Sequence, residues 1–232
     1  MGGRVGLSAL CLGIVVSVST DAAAAGVVAA PRSCVSFKPL RTLLTSMSWW
    51  IEPRWPPTSG MVMTQANTGY ISVKSGSRHI QIVPLSGSSP ILDESLSISS
   101  GANQTLLLTG PASSIKPVVL TDGGTTVTTG DRYVRVVNAS STMGPADVYT
   151  VVAGTSIAGA QPVTGSTPLA FDKGTKYQLI AAGNYEVFMT APGTTNAFLS
   201  TGPIDLSASA NQTIVALDDV SGGFAYARLT DQ

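Results

Sequence analysis

The feature that most constrains this 232-residue chain is a repeat within its own sequence. The similar blocks are YISVKSGSRHIQIVPLSG (70–87) with YQLIAAGNYEVFMTAPG (177–193), and SISSGANQTLLLTG (97–110) with DLSASANQTIVALD (205–218). Tyr70 and Tyr177 lie 107 positions apart, whereas Asn103 and Asn211 lie 108 apart, so one short gap separates the blocks. A solenoid unit repeats every 20 to 50 residues or so, which means that a period this long is a whole domain. The sequence therefore predicts tandem copies of one domain.

The second copy shows short runs of alternating apolar and polar residues, which are typical of β-strands. In YEVFMT, the apolar residues Tyr185, Val187 and Met189 fall on one face, and Glu186 and Thr190 fall on the other. The predicted strands lie at or near 133–138, 146–152, 176–180, 185–190, 204–206, 213–217 and 224–229. About seven short strands in about 100 residues, without helical periodicity, predict a two-sheet antiparallel sandwich.

The N-terminus has the pattern of an export signal over residues 1–25. Arg4 gives a short positive region, Val5 to Val18 form an apolar run, and Ala22 to Ala24 offer a cleavage site. The run is too short for a transmembrane helix, and no later segment of the sequence approaches that length. We therefore expect an exported protein that is periplasmic, outer-membrane-associated or extracellular. Removal of the signal would leave Cys34 without a second cysteine, so no intramolecular disulfide is expected.

Composition and motifs give little support for binding chemistry or catalysis. Only 11% of residues are charged and the formal net charge is +0, which argues against nucleic acid as a partner. His79 is the single histidine, so a zinc site lacks its usual ligands, and no base is marked beside a nucleophile. The pairs Asp93-Glu94 and Asp218-Asp219 lack the spacing of a calcium loop, which favours solvated turns. We predict no catalytic, cofactor-binding or metal-binding residues, no cofactor, and no enzyme activity.

Two stretches carry a resemblance to a known family. YVRVVNASSTMGPADVYTVVAG, followed by LIAAGNYEVFMTAPG, resembles the bacterial domain of unknown function 4397, whose members show R-V-x-N-A-S, D-V-x-V-D and A-G-x-Y-x-V strands. The resemblance covers 131–230, and 69–123 as the back half of another copy. It implies an exported, often lipid-anchored β-sandwich protein without an assigned activity, and it carries no site residues over to this chain.

One stretch does not fit this pattern. SMSWWIEPRWPPTSGMVMTQ (46–65) holds all three tryptophans, Trp49, Trp50 and Trp55, where the front half of the first copy should lie. Methionine and tryptophan have one codon each, so a neighbouring frame can be partly read through them. That frame gives V-x-V-D across MSWWI and permits the preceding Asp of a D-V-x-V-D core at Ser46. It also permits R-V-V-Q-A-S across CVSFKPL and the cysteine of a lipoprotein across TDAAAAG.

We therefore hypothesise that two compensating single-base shifts separate residues 20–66 from the ancestral frame. The segment 35–66 should then be irregular, and a lipid anchor would belong to the ancestral form only. Two alternatives stay open: a natural linker that tolerates tryptophan, and a tryptophan cluster that binds a sugar by stacking. Sequencing codons 15–70 from the source genome decides between them, since an unchanged frame would overturn the hypothesis.

The predicted fold class is all-β, with tandem immunoglobulin-like or transthyretin-like antiparallel β-sandwiches of which the first is incomplete. The predicted segments are a signal peptide (1–25), an irregular segment (26–68), the back half of the first copy (69–123), a linker (124–130) and a complete second copy (131–232). The predicted function is a non-catalytic structural or adhesive module of the cell envelope, whose envelope or extracellular partner the sequence leaves unknown. The alternative is a glycan or small-ligand binder that uses the loops at one end of the sandwich.

Overall fold

The computed structural model describes residues 14–21, 32–39, 47–52, 70, 72–84, 89–90, 92–110, 114, 116–123, 130–163, 168–207, 211–219 and 222–231. The strands before residue 70 are described by their backbone pairing. In chain order the strands are β1 (Ile14–Asp21), β2 (Arg32–Pro39), β3 (Met47–Glu52), β4 (Ser72–Lys74), β5 (Gly76–Pro84), β6 (Leu92–Ile98), β7 (Asn103–Thr109), β8 (Lys116–Asp122), β9 (Asp131–Asn138), β10 (Asp147–Val152), β11 (Lys173–Gly174), β12 (Gln178–Ala181), β13 (Asn184–Thr190), β14 (Ala197–Ser200), β15 (Ile204–Asp205), β16 (Asn211–Asp218) and β17 (Phe224–Asp231). The described part is all-β, as predicted, and contains no helix long and apolar enough to cross a membrane.

The second copy is a two-layer sandwich. One sheet contains β9, β16 and β17 with β11 and β12 beside β9, and the other contains β10, β13 and β14 with β15 beside β13. Between them lies an apolar core that includes Val134, Val136, Val187, Met189 and Ile214. The alternation in YEVFMT is confirmed, because Val187 and Met189 are buried and Tyr185 packs against the core. The sequence did not predict β11 and β14, which are short and lack a clear alternating run.

The sheet that carries β9 and β16 is buried on both faces. Because side chains alternate along a strand, Val134 and Val136 point into the sandwich core and Val137 points to the opposite face. There, Val137 and Val215 pack against Leu107 of β7, which belongs to the first copy. β9 pairs with β16 in parallel, whereas the other paired strands described in this copy are antiparallel, as predicted. Burial on both faces is the setting in which parallel strands usually occur.

The first copy forms two sheets, ordered β4-β2-β1-β7-β8 and β3-β5-β6. Three of its strands lie before residue 53: β1 lies inside the predicted export signal, and β2 and β3 lie inside the segment predicted to be irregular. The prediction of irregular structure over 35–66 is therefore wrong for residues 35–39 and 47–52. Trp49 and Trp50 lie in β3, and Trp55 lies outside the described residues.

The pairing partner of β3 gives the physical reason for this correction. β3 pairs antiparallel with β5, just as β10 pairs antiparallel with the equivalent strand β13. Tryptophan and isoleucine favour strands, and an open edge of β5 offers unpaired backbone groups to such a segment. The reading-frame hypothesis concerns the gene and stays a prediction.

Candidate functional site

The described residues contain one buried group of ionisable side chains, and it lies where the two copies meet. We call it the interface cluster, and its members are Tyr70, Thr105, Asp122, Arg135, Tyr177, Thr213 and Asp231. Tyr70, Thr105 and Asp122 belong to the first copy, and the other four belong to the second. Strands β7, β8, β9, β16 and β17 carry five of these residues, so most of the cluster is built on rigid sheet rather than on loops.

Arg135 is the centre of the cluster. Its guanidinium forms an ion pair with Asp122 of the first copy, and the two side chains are only 6% and 0% exposed. Arg135 Nη1 donates to the carbonyl oxygen of Thr121 at 2.8 Å, and Nε donates to Thr213 Oγ1 at 2.7 Å. The guanidinium also lies over the ring of Tyr177, 4.6 Å from its centroid, in cation–π contact. One side chain of the second copy is thus bonded to both copies.

The two carboxylates of the cluster have closely similar surroundings. Asp122 Oδ2 accepts hydrogen bonds from the hydroxyls of Thr105 and Tyr70, the latter at 3.2 Å. Asp231 Oδ2 accepts hydrogen bonds from the hydroxyls of Thr213 and Tyr177, the latter at 2.7 Å. Each copy therefore contributes the same group of tyrosine, threonine and aspartate, although Asp231 lies 4.0 Å from the nearest guanidinium nitrogen of Arg135.

Burial dominates the electrostatics of the cluster. It raises the pKa of Asp231 from 3.8 to about 6, and the nearby charge of Arg135 offsets this only in part. It also raises the pKa of Asp122, again against the effect of Arg135. Burial alone would lower the pKa of Arg135, but the charges of Asp122 and Asp231 raise it above its ordinary value. Burial likewise raises the pKa of Tyr177, so its phenol stays protonated and donates to Asp231.

These properties suit attachment better than catalysis. A guanidinium stays charged at any physiological pH, so Arg135 can hold carboxylates but cannot accept a proton from a substrate. Five members of the cluster are buried, and Tyr70 and Tyr177 are half-buried. Its chemistry is that of a fixed ion pair with supporting hydroxyls, which joins two sheets in one geometry.

The rest of the RVVNAS motif shares this structural role. Asn138 is buried and its Nδ2 donates to the carbonyl oxygens of Gly144 and Leu169, at 2.9 and 3.2 Å. Ser140 Oγ donates to Asp218 and accepts from the backbone N–H of Met143 at 3.0 Å. These bonds fix the loop that follows β9, so the polar residues of the motif are explained without a ligand.

The candidates from the sequence lie elsewhere. His79 and Asp93 form an exposed pair on neighbouring strands, and Gln81 Nε2 donates to Asp93 at 2.8 Å. Asp93-Glu94 lies in β6 rather than in the turn that its sequence favours, whereas Asp218 ends β16 and accepts from the hydroxyls of Ser140 and Thr142. Among the residues that the structure describes, no three histidine, cysteine, aspartate or glutamate side chains could hold a metal ion together.

Comparison with known families agrees with the paired arrangement. The model of a domain of unknown function, DUF4397, matches the chain twice, over residues 58–149 and 133–232. The chain belongs to the DUF4397 family. The two DUF4397 matches overlap over 133–149, so Arg135 lies in both of them. No curated protein matches this chain.

Sequence reasoning missed the interface cluster, although part of the signal was present. The repeat aligns Tyr70 with Tyr177 and Thr105 with Thr213 in sequence. The pattern assigns these residues to separate strands and does not show that they meet. Nothing in the sequence shows that Arg135 reaches the other copy. That contact depends on how two sheets stack, which a strand pattern does not specify.

Proposed function

We propose that this chain is an exported, non-catalytic module of the cell envelope, with a structural or adhesive role, in which two sandwich copies act as one rigid unit. The observation that carries the proposal is Arg135, a second-copy side chain that is buried against Asp122 of the first copy. An arginine between tandem domains restricts their relative movement. Restricted domains can transmit force or hold a binding surface at a set distance.

The apolar contact beside the cluster supports the same proposal. Leu107, Val137 and Val215 are fully buried between the copies, and Leu217 and Leu229 extend this contact. An inter-domain interface allows movement unless it is large and hydrophobic. Here apolar packing and a buried ion pair occur together, which favours a fixed spacing of the two sandwiches.

The export component rests on the N-terminal pattern of Arg4, the apolar run and the alanine-rich cleavage site. Fractionation of a bacterial host that makes the tagged full chain tests this component. We expect the tag in the envelope fraction or the medium, in a form shortened by about 25 residues. Recovery of an unshortened chain from the cytoplasm alone would contradict export.

The structural or adhesive role is tested with the purified exported protein. We expect saturable binding to isolated cell envelopes or self-association, and no retention on a panel of immobilised glycans. Arg135→Met should weaken envelope binding, because it frees the two copies to move relative to each other. Selective binding of one glycan, unchanged in the Arg135→Met variant, would instead support a ligand-binding module that acts through loops of a single sandwich.

A further inference from the structure

The surface through which the two copies meet is built from equivalent strand pairs on both sides. Asn103 lies opposite Asp122 in the β7–β8 pair, and Asn211 lies opposite Asp231 in the β16–β17 pair. The apolar cluster between the copies takes the same register positions from both pairs, namely Leu107, Val118 and Leu120, and Val215, Ala227 and Leu229. A surface that packs against its own equivalent is the self-complementary kind that forms twofold dimers.

The charged groups on this surface are not matched in the same way. Asp122 Oδ1 accepts a charge-assisted hydrogen bond from Arg135 of the opposite copy. Within the described part of the chain, Asp231 Oδ1 is buried and has no hydrogen-bond partner. A buried carboxylate oxygen without a donor loses its hydration without compensation. The contact between the copies therefore satisfies one aspartate and leaves its equivalent short of a donor.

A second molecule of this chain has the arginine that Asp231 lacks. Asp231 holds in the second copy the position that Asp122 holds in the first, and each accepts bonds from one threonine and one tyrosine. When two second copies face each other as the two copies of one chain do, Arg135 of each molecule meets Asp231 of the other. Such a dimer contains one arginine for each aspartate, in two equivalent ion pairs.

The apolar part of the surface also fits this dimer. Val215 would replace Leu107, and Ala227 would replace Val118, at the positions that now come from the first copy. Both replacements are smaller side chains, so they introduce no overpacking between the sheets. They bury less apolar area, which makes the ion pairs the larger part of the specificity.

In one chain the first copy covers this surface, and the proposed function changes that cover. β1 pairs with β7 through residues 14–17, and it lies within the export signal over residues 1–25. Removal of the signal takes away the strand beside β7, whereas every strand of the second copy, β9 to β17, remains. The exported form therefore keeps the surface of β9, β16 and β17 intact opposite a first copy that has lost one strand of its sheet.

We propose that the surface of β9, β16 and β17 is a self-association surface, through which the second sandwich of one exported molecule binds the second sandwich of another. This inference rests on the proposed function, because it takes the signal-free chain as the active form and names the partner in its self-association. The closed chain, with Arg135 on Asp122, and the dimer, with Arg135 on Asp231 of a second molecule, are then two states of one surface.

Sedimentation velocity of the signal-free chain over a dilution series tests the proposal. We expect a concentration-dependent dimer at pH 7.5. Asp231→Asn removes the carboxylate of both ion pairs in the dimer but keeps the Arg135–Asp122 pair, so it should weaken the dimer about a hundredfold. Asp122→Asn is the matched control, because it removes only the competing contact. It should leave the dimer unchanged or strengthen it.

A pH series separates this dimer from non-specific apolar association. In the closed chain Asp231 faces Arg135, Asp122 and Tyr177, and its pKa is raised to about 6. In the dimer each Asp231 gains a guanidinium, which favours its charged form, so dimerisation releases protons and strengthens as pH rises through 6. The dissociation constant should be at least about tenfold lower at pH 7.5 than at pH 5, and Asp231→Asn should reduce this difference.

The full chain, made without export so that β1 is retained, gives a comparison that needs no substitution. It should stay monomeric at concentrations at which the signal-free chain dimerises. Equal dimerisation of both forms, or equal weakening by Asp122→Asn and Asp231→Asn, would overturn the proposal.

The binding of isolated cell envelopes distinguishes failure of this inference from failure of the proposed function. A signal-free chain that stays monomeric but still binds envelopes would overturn the self-association surface and leave the proposed function standing. A monomeric chain that binds no envelope would overturn both.

Discussion

The two copies of this DUF4397 chain share their back halves and differ in their front halves. Tyrosine, threonine and aspartate recur in the same arrangement, as Tyr70, Thr105 and Asp122 in one copy and Tyr177, Thr213 and Asp231 in the other. In the second copy, β9 pairs directly with β16, whereas in the first copy β1 lies between β2 and β7. The strand that differs is the one that carries the arginine. Among the described residues, the interface cluster therefore contains two carboxylates, Asp122 and Asp231, and one guanidinium, Arg135.

From this comparison we expect the stability of the first copy to depend on its contact with the second. An incomplete sandwich that stands alone exposes an apolar face and open sheet edges. The structure covers that face with β9, β16 and β17, so Leu107 is fully buried. Loss of the contact between the copies should therefore affect the first copy more than the second.

The largest effect should come from removal of the shared arginine. Arg135→Met keeps most of the apolar stem but leaves Asp122 and Asp231 buried without a cation, which should cost about 3 to 5 kcal/mol in the free energy of unfolding. Guanidinium chloride denaturation, followed by near-ultraviolet circular dichroism, measures the loss. Unfolding should separate into two transitions, with the first copy unfolding at the lower concentration.

Arg228→Met is the matched control for this prediction. Arg228 lies on β17 in the same sheet, and its Nε donates to Gln212 at 2.9 Å, but the residue is exposed. Its replacement should cost only about 0.5 kcal/mol. Similar losses at positions 135 and 228 would show that the copies are not joined through the interface cluster.

The second effect concerns pH and the difference between the two carboxylates. Because the pKa of Asp231 is raised to about 6 in the folded chain, the folded state binds a proton more tightly than the unfolded state. The resulting stabilisation is complete below about pH 4 and is lost as pH rises through 6, by about 3 kcal/mol at most. The raised pKa of Asp122 acts in the same direction.

Denaturation at pH 5 and at pH 7.5 measures this effect, and the chain should be more stable at pH 5. Asp231→Asn has no titratable group at this position and should show a smaller difference between the two conditions, to which Asp122 still contributes. A chain that gains stability as pH rises over this range would contradict the assignment, because it would place the dominant titration on a carboxylate with a lowered pKa.

Local pattern predicted most of the second copy and little of the interface. Strand period located β9, β10, β13, β16 and β17 within a few residues, because each has one or both faces buried and a run of β-favouring side chains. Position 135 could not be assigned a role in this way. An arginine between valines fits a solvent-exposed strand face equally well, and only the stacking of two sheets converts that face into a buried one.

The front of the first copy could not be predicted for a different reason. SMSWWI lacks the alternation that marks a half-buried strand, yet Met47–Glu52 pairs with β5. Its partner strand supplies the hydrogen bonds and the register, and neither can be read from the segment itself. β3 occupies in the first copy the place that β10 occupies in the second. Sequencing codons 15–70 tests whether this segment is read in its ancestral frame.

The third effect compares the two tyrosines. Tyr177→Phe removes the hydroxyl that donates to Asp231 at 2.7 Å but keeps the ring beneath Arg135, and it should cost about 1.5 kcal/mol. Tyr70→Phe should cost less, since its bond to Asp122 is longer, at 3.2 Å, and Arg135 still holds that carboxylate. Denaturation of both variants at pH 7.5 measures the difference. An equal or larger cost at Tyr70 would contradict the ranking.

The smallest effect should come from the outer sheets, where equivalent positions carry different polar groups. His79 of β5 bonds Asp93, and its counterpart Glu186 of β13 accepts from Ser200 Oγ at 2.6 Å. Both pairs are exposed, so water and salt screen them and side-chain entropy opposes them. Asp93→Asn and Ser200→Ala should each shift the melting temperature by less than roughly 2 °C. A shift at Asp93 as large as that of Arg135→Met would mean that the outer sheet of the first copy, rather than its contact with the second, limits stability. The difference in stability between the copies would then arise from β5 and β6 rather than from β9, the strand that carries Arg135.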